Sequence, residues 1–226
     1  MLIESEVRSG RRTVAAGVIL QIRGGVAYIA TARHVVDGAF NGGLAAEPEP
    51  SALKGFSVLT IDQVRAAATV EWVAPHGIDL AILSAPLSSR QVQAAHWNRG
   101  ALPQVGSALF TIGNPGGAGW TQASGTLAQI RDQEQQHDAF QMLQTNMALQ
   151  PGHSGGGLYD AAGQLIGINA MTGLGRDPRF PGGLGLSTAL ASLLDLAPQR
   201  FALPATNPNR GPTPHHHQQP METRQR

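Results

Sequence analysis

The chain has 226 residues, a formal net charge of +1 and no cysteine. With so small a charge and the basic residues scattered rather than blocked, no field steers nucleic acid or an anionic membrane, and neither is an expected partner. The length suffices for a core that is stable without disulfide staples, and the lack of cysteine fits a reducing cytoplasm or a bacterial envelope protein that never used them. Fifteen Arg against the lone Lys54, with abundant Ala and Gly, are the composition of a high-GC bacterial gene.

In chain order, residues 1–6 place acids where a secretion signal wants a basic flank and a long apolar run, and no later stretch approaches a membrane span. Cytoplasmic residence is the favoured expectation, with the envelope open if the sequence was trimmed. Short apolar runs at 13–22, 26–31, 56–61, 67–73 and 80–85, broken by Gly, Pro and acids, read as strands. A polar connector at 86–103 precedes a second set at 108–112, 121–131, 140–146, 156–159, 165–171 and 185–187. Residues 188–196 change period, with Leu190, Leu193 and Leu194 on one helical face, a Ser187-Thr188 cap and the breaker Pro198, and read as a closing helix. The expected organisation is one domain over 1–200, its halves at about 1–90 and 104–197, and a disordered tail over 201–226, rich in Pro, Gln, Arg and His and too poor in apolar residues to order itself.

Three short segments carry chemistry. Gly152-His153-Ser154-Gly155-Gly156 sets a serine among glycines whose backbone can approach a substrate closely. Thr31-Ala32-Arg33-His34-Val35-Val36 supplies a base, and Gly77-Ile78-Asp79-Leu80-Ala81-Ile82-Leu83 an acid, in the order His, Asp, Ser, which is one of the known triad orders. A serine hydroxyl is a poor nucleophile until an imidazole takes its proton, here His34. A carboxylate, here Asp79, is needed to hold the second ring nitrogen and stabilise the imidazolium. The N–H groups of Gly152 and Ser154 are the natural donors to the oxyanion of a tetrahedral intermediate.

With these segments, about residues 13–197 resemble a trypsin-like (chymotrypsin-fold) serine protease of the disulfide-free, HtrA-like bacterial branch. Phe110-Thr111-Ile112-Gly113-Asn114-Pro115-Gly116-Gly117 and Gly163-Gln164-Leu165-Ile166-Gly167-Ile168-Asn169 resemble two further segments of that branch. The resemblance implies an all-β fold of two packed six-stranded antiparallel β-barrels with a short C-terminal helix. His34 and Asp79 then stand on the first barrel, Ser154 on the second, and the site in the cleft between them. It implies a serine endopeptidase acting through an acyl-enzyme on protein or peptide substrates. The peptide-binding PDZ domain common in the branch has no room, since only about thirty residues follow the helix. Control is then expected from a regulatory protein partner, from oligomerisation, or from a site that is always ordered. The alternative is a protease-fold module that holds peptides without cutting them, or a latent protease whose oxyanion loop a partner must order.

The resemblance also places the specificity pocket at Ala148, Leu149 and Gln150, at Ala170, Met171 and Thr172, and at Leu184 and Leu186. None is charged, and Ala148 sits where a Lys- or Arg-specific pocket needs a carboxylate, so cleavage after small or medium apolar residues is expected. Three residues depart from the family pattern. His153 replaces the usual Asn or Asp, which removes activation by a newly cut N-terminus and predicts activity without N-terminal processing; its ring is expected to point away from the nucleophile. Gly157 replaces a common Pro and predicts a more mobile segment. Arg33 replaces a small or amide residue and is expected to reach solvent. No metal or other cofactor is expected: the adjacent His215, His216 and His217 lack the spacing of a zinc site. The loop over 38–54 reads as an exposed connector.

Overall fold

The computed structural model describes residues 1–6, 12–40, 47–98, 100–135, 138–170 and 184–203. In the N-terminal half, β1 (Leu2–Glu6), β2 (Arg12–Ala16), β3 (Val18–Arg23), β4 (Val26–Thr31), β5 (Phe56–Leu59), β6 (Arg65–Val73) and β7 (Ala81–Ala85) pair antiparallel in the order β2-β1-β5-β6-β7-β4-β3. The two edge strands are neighbours in the chain, separated only by Gly17. One stretch of backbone therefore pairs with β1 before the bend and with β4 after it, and the sheet rolls until its edges meet there. Counted this way, the seven strands form the six-stranded roll expected, joined by a bend in the chain rather than by an unbroken ladder. A Cβ on Gly17 would lie 2.7 Å from Ile3 Cδ1 and 2.8 Å from Ile29 Cγ2, so any larger residue at the bend would have to displace both side chains.

The C-terminal half is a closed antiparallel barrel, β10-β13-β12-β11-β8-β9, made of β8 (Ala108–Gly113), β9 (Thr121–Gln135), β10 (Asp138–Thr145), β11 (Gly157–Asp160), β12 (Leu165–Asn169) and β13 (Gly185–Ala189). Its interior is filled by Leu109, Leu127, Leu143, Leu158 and Ile166. β12 is buried along its whole length because it serves two cores. Ile166 faces the barrel, while Leu165 and Ile168 join Val18, Leu20, Ala30, Ile78 and Leu80 of the first half in a core that forms the seam. The connector is pinned across that seam, with Ala95 N–H donating to Ile19 O (2.8 Å) and Leu165 N–H to His96 O (2.7 Å).

The structure corrects four expectations of local structure. β1 is an additional strand, paired with both β2 and β5, where no element was expected. The closing helix α2 is shorter, Leu190–Leu196, and Ser187 and Thr188 belong to β13 instead of capping it; Ala189 is the N-cap and makes no side-chain cap bond. The packed chain continues past residue 200: Phe201 is buried in a helical turn, meets Tyr28 edge-on at 5.9 Å, and accepts a hydrogen bond from Gln21 Nε2. The remainder of the predicted tail, 204–226, lies outside the described residues. The 38–54 loop is tied down where it is described, since Leu53 packs on the core of the first half, formed by Ile3, Ile29, Val58, Val70 and Leu83 among others, and Glu47 Oε1 accepts from His76 N–H at 2.6 Å.

Burial pushes the α-amine of Met1 down from 8.0 to about 6, and that nitrogen donates to Gly17 O at 3.0 Å. Among the described residues no helix is long and apolar enough to cross a membrane.

Candidate active site

β4 ends at Thr31 and the chain enters α1 (Arg33–Val36), a single helical turn that carries His34. Asp79 comes from the loop between β6 and β7, which is closed at its root by Ala74 N–H donating to Leu80 O (2.9 Å) and turned by His76 and Gly77 at φ 54° and 74°. The structure brings base and acid together at two points: His34 N–H donates to Asp79 Oδ1 at 3.0 Å, and His34 Nδ1 lies 2.8 Å from Asp79 Oδ2. A carboxylate facing Nδ1 requires the proton there, which leaves the lone pair on Nε2 as the ring's basic site. Both side chains are largely shielded, 19% and 12% exposed.

Ser154 lies in the turn that leads into β11. The turn is seated on the first half: Ala16 N–H donates to Ser154 O at 2.9 Å, and a Cβ on Gly155 would meet Thr31 Oγ1 and Ala32 N. These contacts set the serine turn against the root of the His34 turn, two residues before the base. From the second half, Asn114 N–H donates to Gly152 O (3.1 Å) and Gly116 N–H to Pro151 O (3.4 Å). Gly152 has φ +105° and backs directly onto Asn114, whose carbonyl oxygen would lie 2.2 Å from an added Cβ.

These bonds orient the two peptide groups assigned to the oxyanion. The Pro151 carbonyl is held toward Gly116, and the His153 carbonyl accepts from Gly156 N–H (2.9 Å) and Asn169 Nδ2 (3.2 Å). In a trans peptide the N–H points opposite to its C=O. The N–H groups of Gly152 and Ser154 are therefore turned away from the scaffold, and neither has a hydrogen-bond partner among the described residues.

The buried residues behind this turn were not singled out from sequence. Asn169 donates through Nδ2 to Thr111 Oγ1 (2.7 Å) as well as to His153 O, and its Oδ1 accepts from Ser187 Oγ (2.9 Å). Thr111 Oγ1 in turn donates to Gly157 O (2.7 Å), while the Asn169 backbone exchanges bonds with Gly155 and Gly156 (2.8 Å each). A polar residue ending the otherwise apolar run Leu165–Asn169 was the available signal, because buried polar groups persist where they are fully bonded.

The three departures from the family pattern resolve differently. The ring of His153 is buried, packed against Gly113 and in reach of Gln150 through Nδ1 (3.3 Å), with no partner at Nε2 among the described residues. Gly157 is the first residue of β11, paired with Ile168; an added Cβ would strike the Tyr159 ring at 2.6 Å, so the glycine makes room for that side chain. The Tyr159 ring stacks on Phe110, and burial pushes its phenol up. Arg33, expected in solvent, is 0% exposed.

Of the expected specificity residues, Leu149 packs on Gly185, where an added Cβ would lie 3.1 Å from Leu149 Cδ1, and Ala170 N–H donates to Leu186 O at 2.9 Å. The described walls Ala148, Leu149, Gln150, Ala170, Leu184 and Leu186 thus come from adjoining segments; Met171 and Thr172 lie outside the described residues. Among the described residues no cluster of His, Asp or Glu could hold a metal ion, and His215, His216 and His217 lie outside them.

Residues 15–168 match the model of the trypsin-like peptidase domain. The chain is 32% identical over 174 residues to "Serine protease Do-like HtrB" of Bacillus subtilis (strain 168), covering 69% of this chain and 32% of that one. It is 27% identical over 180 residues to "Probable periplasmic serine endoprotease DegP-like" of Pseudomonas savastanoi pv. phaseolicola (strain 1448A / Race 6), covering 79% and 32%. The chain thus spans about a third of the length of these curated relatives. Among solved structures, "HtrA-type protease AlgW with tripeptide" superposes with a TM-score of 0.64 at 26% identity, covering 86% of this chain and 57% of that one. The two packed β-units are the chymotrypsin-like fold of HtrA-type proteases.

Proposed function

The chain belongs to the trypsin-like peptidase domain family, and on that premise we propose that it is a serine endopeptidase with Ser154 as nucleophile, His34 as general base and Asp79 as the group that orients the base. Ser154 Oγ attacks the scissile carbonyl while His34 Nε2 takes its proton. The charge that develops on the carbonyl oxygen is met by the N–H groups of Gly152 and Ser154, a type of donor whose loss costs about 2.7–4 kcal/mol in the transition state. His34 then returns the proton to the leaving amine, an acyl-Ser154 ester forms, and water activated by the same imidazole hydrolyses it. The observation that carries this reading is the double contact of Asp79 with the ring and the backbone of His34 (2.8 and 3.0 Å). The anchored carbonyls of Pro151 and His153 favour an oxyanion turn that is already ordered over a latent one.

Intact-mass spectrometry after exposure to a fluorophosphonate tests the assignment. The expected result is one adduct on the parent chain and none on Ser154→Ala. An unlabelled parent chain would favour the peptide-binding module instead.

The uncharged pocket walls support cleavage after Val, Ala, Leu or Met, with neighbouring aliphatics separated by only about 1–3 kcal/mol per methylene. A peptide-library profile is expected to show apolar residues on the acyl side of the cut; a profile dominated by Lys or Arg overturns the pocket assignment. The relative named as periplasmic favours the bacterial envelope over the cytoplasm as the place of action. A regulatory protein partner remains part of the proposal only as an added layer of control on an ordered site.

A further inference from the structure

Arg33 immediately precedes the proposed base and is fully buried. Its Nε donates to Asp37 Oδ2 at 3.1 Å, and Nη2 reaches the same oxygen at 3.1 Å. Nη1 donates to Ala74 O at 3.1 Å, and Cζ of the guanidinium lies over the Phe40 ring, 4.9 Å from its centre. Asp37 is itself fixed, since its N–H donates to Arg33 O (2.8 Å) and its Oδ1 accepts from Ala39 N–H (3.1 Å).

We infer that Arg33 is a positioning residue for His34 and Asp79: by holding Asp37 and the Ala74 carbonyl together, it fastens the turn that carries the base to the root of the loop that carries the acid. The inference rests on the proposed triad and deepens it. A helix of four residues cannot hold itself, because the cost of nucleating a turn is not repaid over so short a length. α1 also has no side-chain cap, its N-cap being Ala32. Its orientation must come from outside. The Asp79 contacts supply one attachment, about which the turn could still pivot. Ala74 supplies a second one, at the point where its N–H and the Leu80 carbonyl close the 75–79 loop. Two attachments from neighbouring residues, Arg33 and His34, to the two ends of one loop fix the angle between ring and carboxylate.

The chemistry of the side chain fits this role. Burying a charge without full pairing is costly, yet here the charge is paired, stacked and bonded to a carbonyl. Guanidinium can serve both acceptors at once because its donors diverge in one plane. An ammonium on a flexible stem can neutralise Asp37 but cannot also hold Ala74 O in the same geometry.

Two variants of the full chain separate positioning from plain core packing. Arg33→Lys keeps the charge opposite Asp37, and Arg33→Met with Asp37→Leu removes both charges, so that neither strands a buried ion. The ring signals of His34 are followed by NMR on protein carrying 15N-labelled histidine, together with kcat, KM and the circular dichroism spectrum. The expected result is a native spectrum, a His34 Nδ1–H that exchanges with water at least about tenfold faster than in the parent, and kcat lowered about 10- to 100-fold with KM nearly unchanged, the size of loss that a small misplacement of a catalytic group produces. Unchanged ring signals and kcat in a folded variant overturn the inference and leave Arg33 as an ordinary buried ion pair. Should the Lys variant not fold, the double variant decides. A parent chain that neither labels nor cleaves sinks the proposed triad, while the His34 ring signals still decide the role of Arg33.

Discussion

Asp79→Asn is expected to lower kcat by about four orders of magnitude while leaving the fold and KM close to those of the parent chain. Asp79 accepts from two N–H groups of one residue, the main chain of His34 through Oδ1 and its ring through Oδ2. An asparagine has one oxygen and one NH2 group, so it can satisfy only one of those donors and presents hydrogens to the other. If the amide oxygen stays on the backbone N–H, the NH2 faces Nδ1 and drives the ring proton to Nε2. The imidazole then has no lone pair with which to take the Ser154 proton. Size and shape hardly change, so unfolding temperature and KM serve as controls, with turnover of an apolar peptide and the rate of fluorophosphonate labelling as readouts. A loss of less than about tenfold would mean that the ring tautomer does not govern the chemistry, and the assignment of Asp79 would fail.

What could be read in the sequence follows from which forces leave a local mark. The short apolar runs between Gly, Pro and acids marked most strands, because each strand buries a face on one of the two half-cores or on the seam between them. β1 left no such mark. It has only Leu2 and Ile3 to bury, and the rest of it is Glu and Ser whose value lies in neighbours far along the chain, as when Glu4 pairs with Arg65 and Ser57. Ser187 and Thr188 looked like a helix cap because cap preferences are local. Tertiary bonding won instead, Ser187 giving its hydroxyl to Asn169 and Thr188 pairing with Met142 in the ladder.

The chemistry-bearing residues of the site were legible as motifs, whereas their supports were not. Asn169, Thr111 and Ser187 are separated by tens of residues and converge only when β8, β12 and β13 close the barrel. Arg33 was misread for a related reason: a charge beside a surface-facing base suggests solvent, and only its i,i+4 relation to Asp37 hinted otherwise. Gly157 reads from sequence as a point of backbone freedom, whereas the space it leaves for Tyr159 is a use that only the folded strand shows.

Gly155→Ala is expected to destabilise the chain by about 2–5 kcal/mol, the sum of a left-handed backbone cost of about 1–2 kcal/mol and an overpacking cost of about 1–3 kcal/mol. At φ +77° the added Cβ would lie 2.0 Å from Thr31 Oγ1, 2.3 Å from Ala16 O and 3.0 Å from Ala32 N. Two of these three are backbone atoms of the first half, which no rotamer change can clear. The strain can be relieved only by lifting the serine turn off Ala16, which breaks the Ala16 N–H bond to Ser154 O and draws the nucleophile away from the base. Gly163→Ala isolates the backbone part, since Gly163 has nearly the same φ, +76°, with nothing within 4 Å of an added Cβ; it should cost about 1–2 kcal/mol and leave labelling intact. Denaturant midpoints of the two variants, taken at equal slope, give the difference, and fluorophosphonate labelling reports on Ser154. Equal midpoints would mean that the seam yields under the serine turn. The proposed mechanism requires the reverse, because Ser154 and His34 stand on different halves and share a geometry only while the serine turn stays seated on Ala16 and Thr31 of the first half.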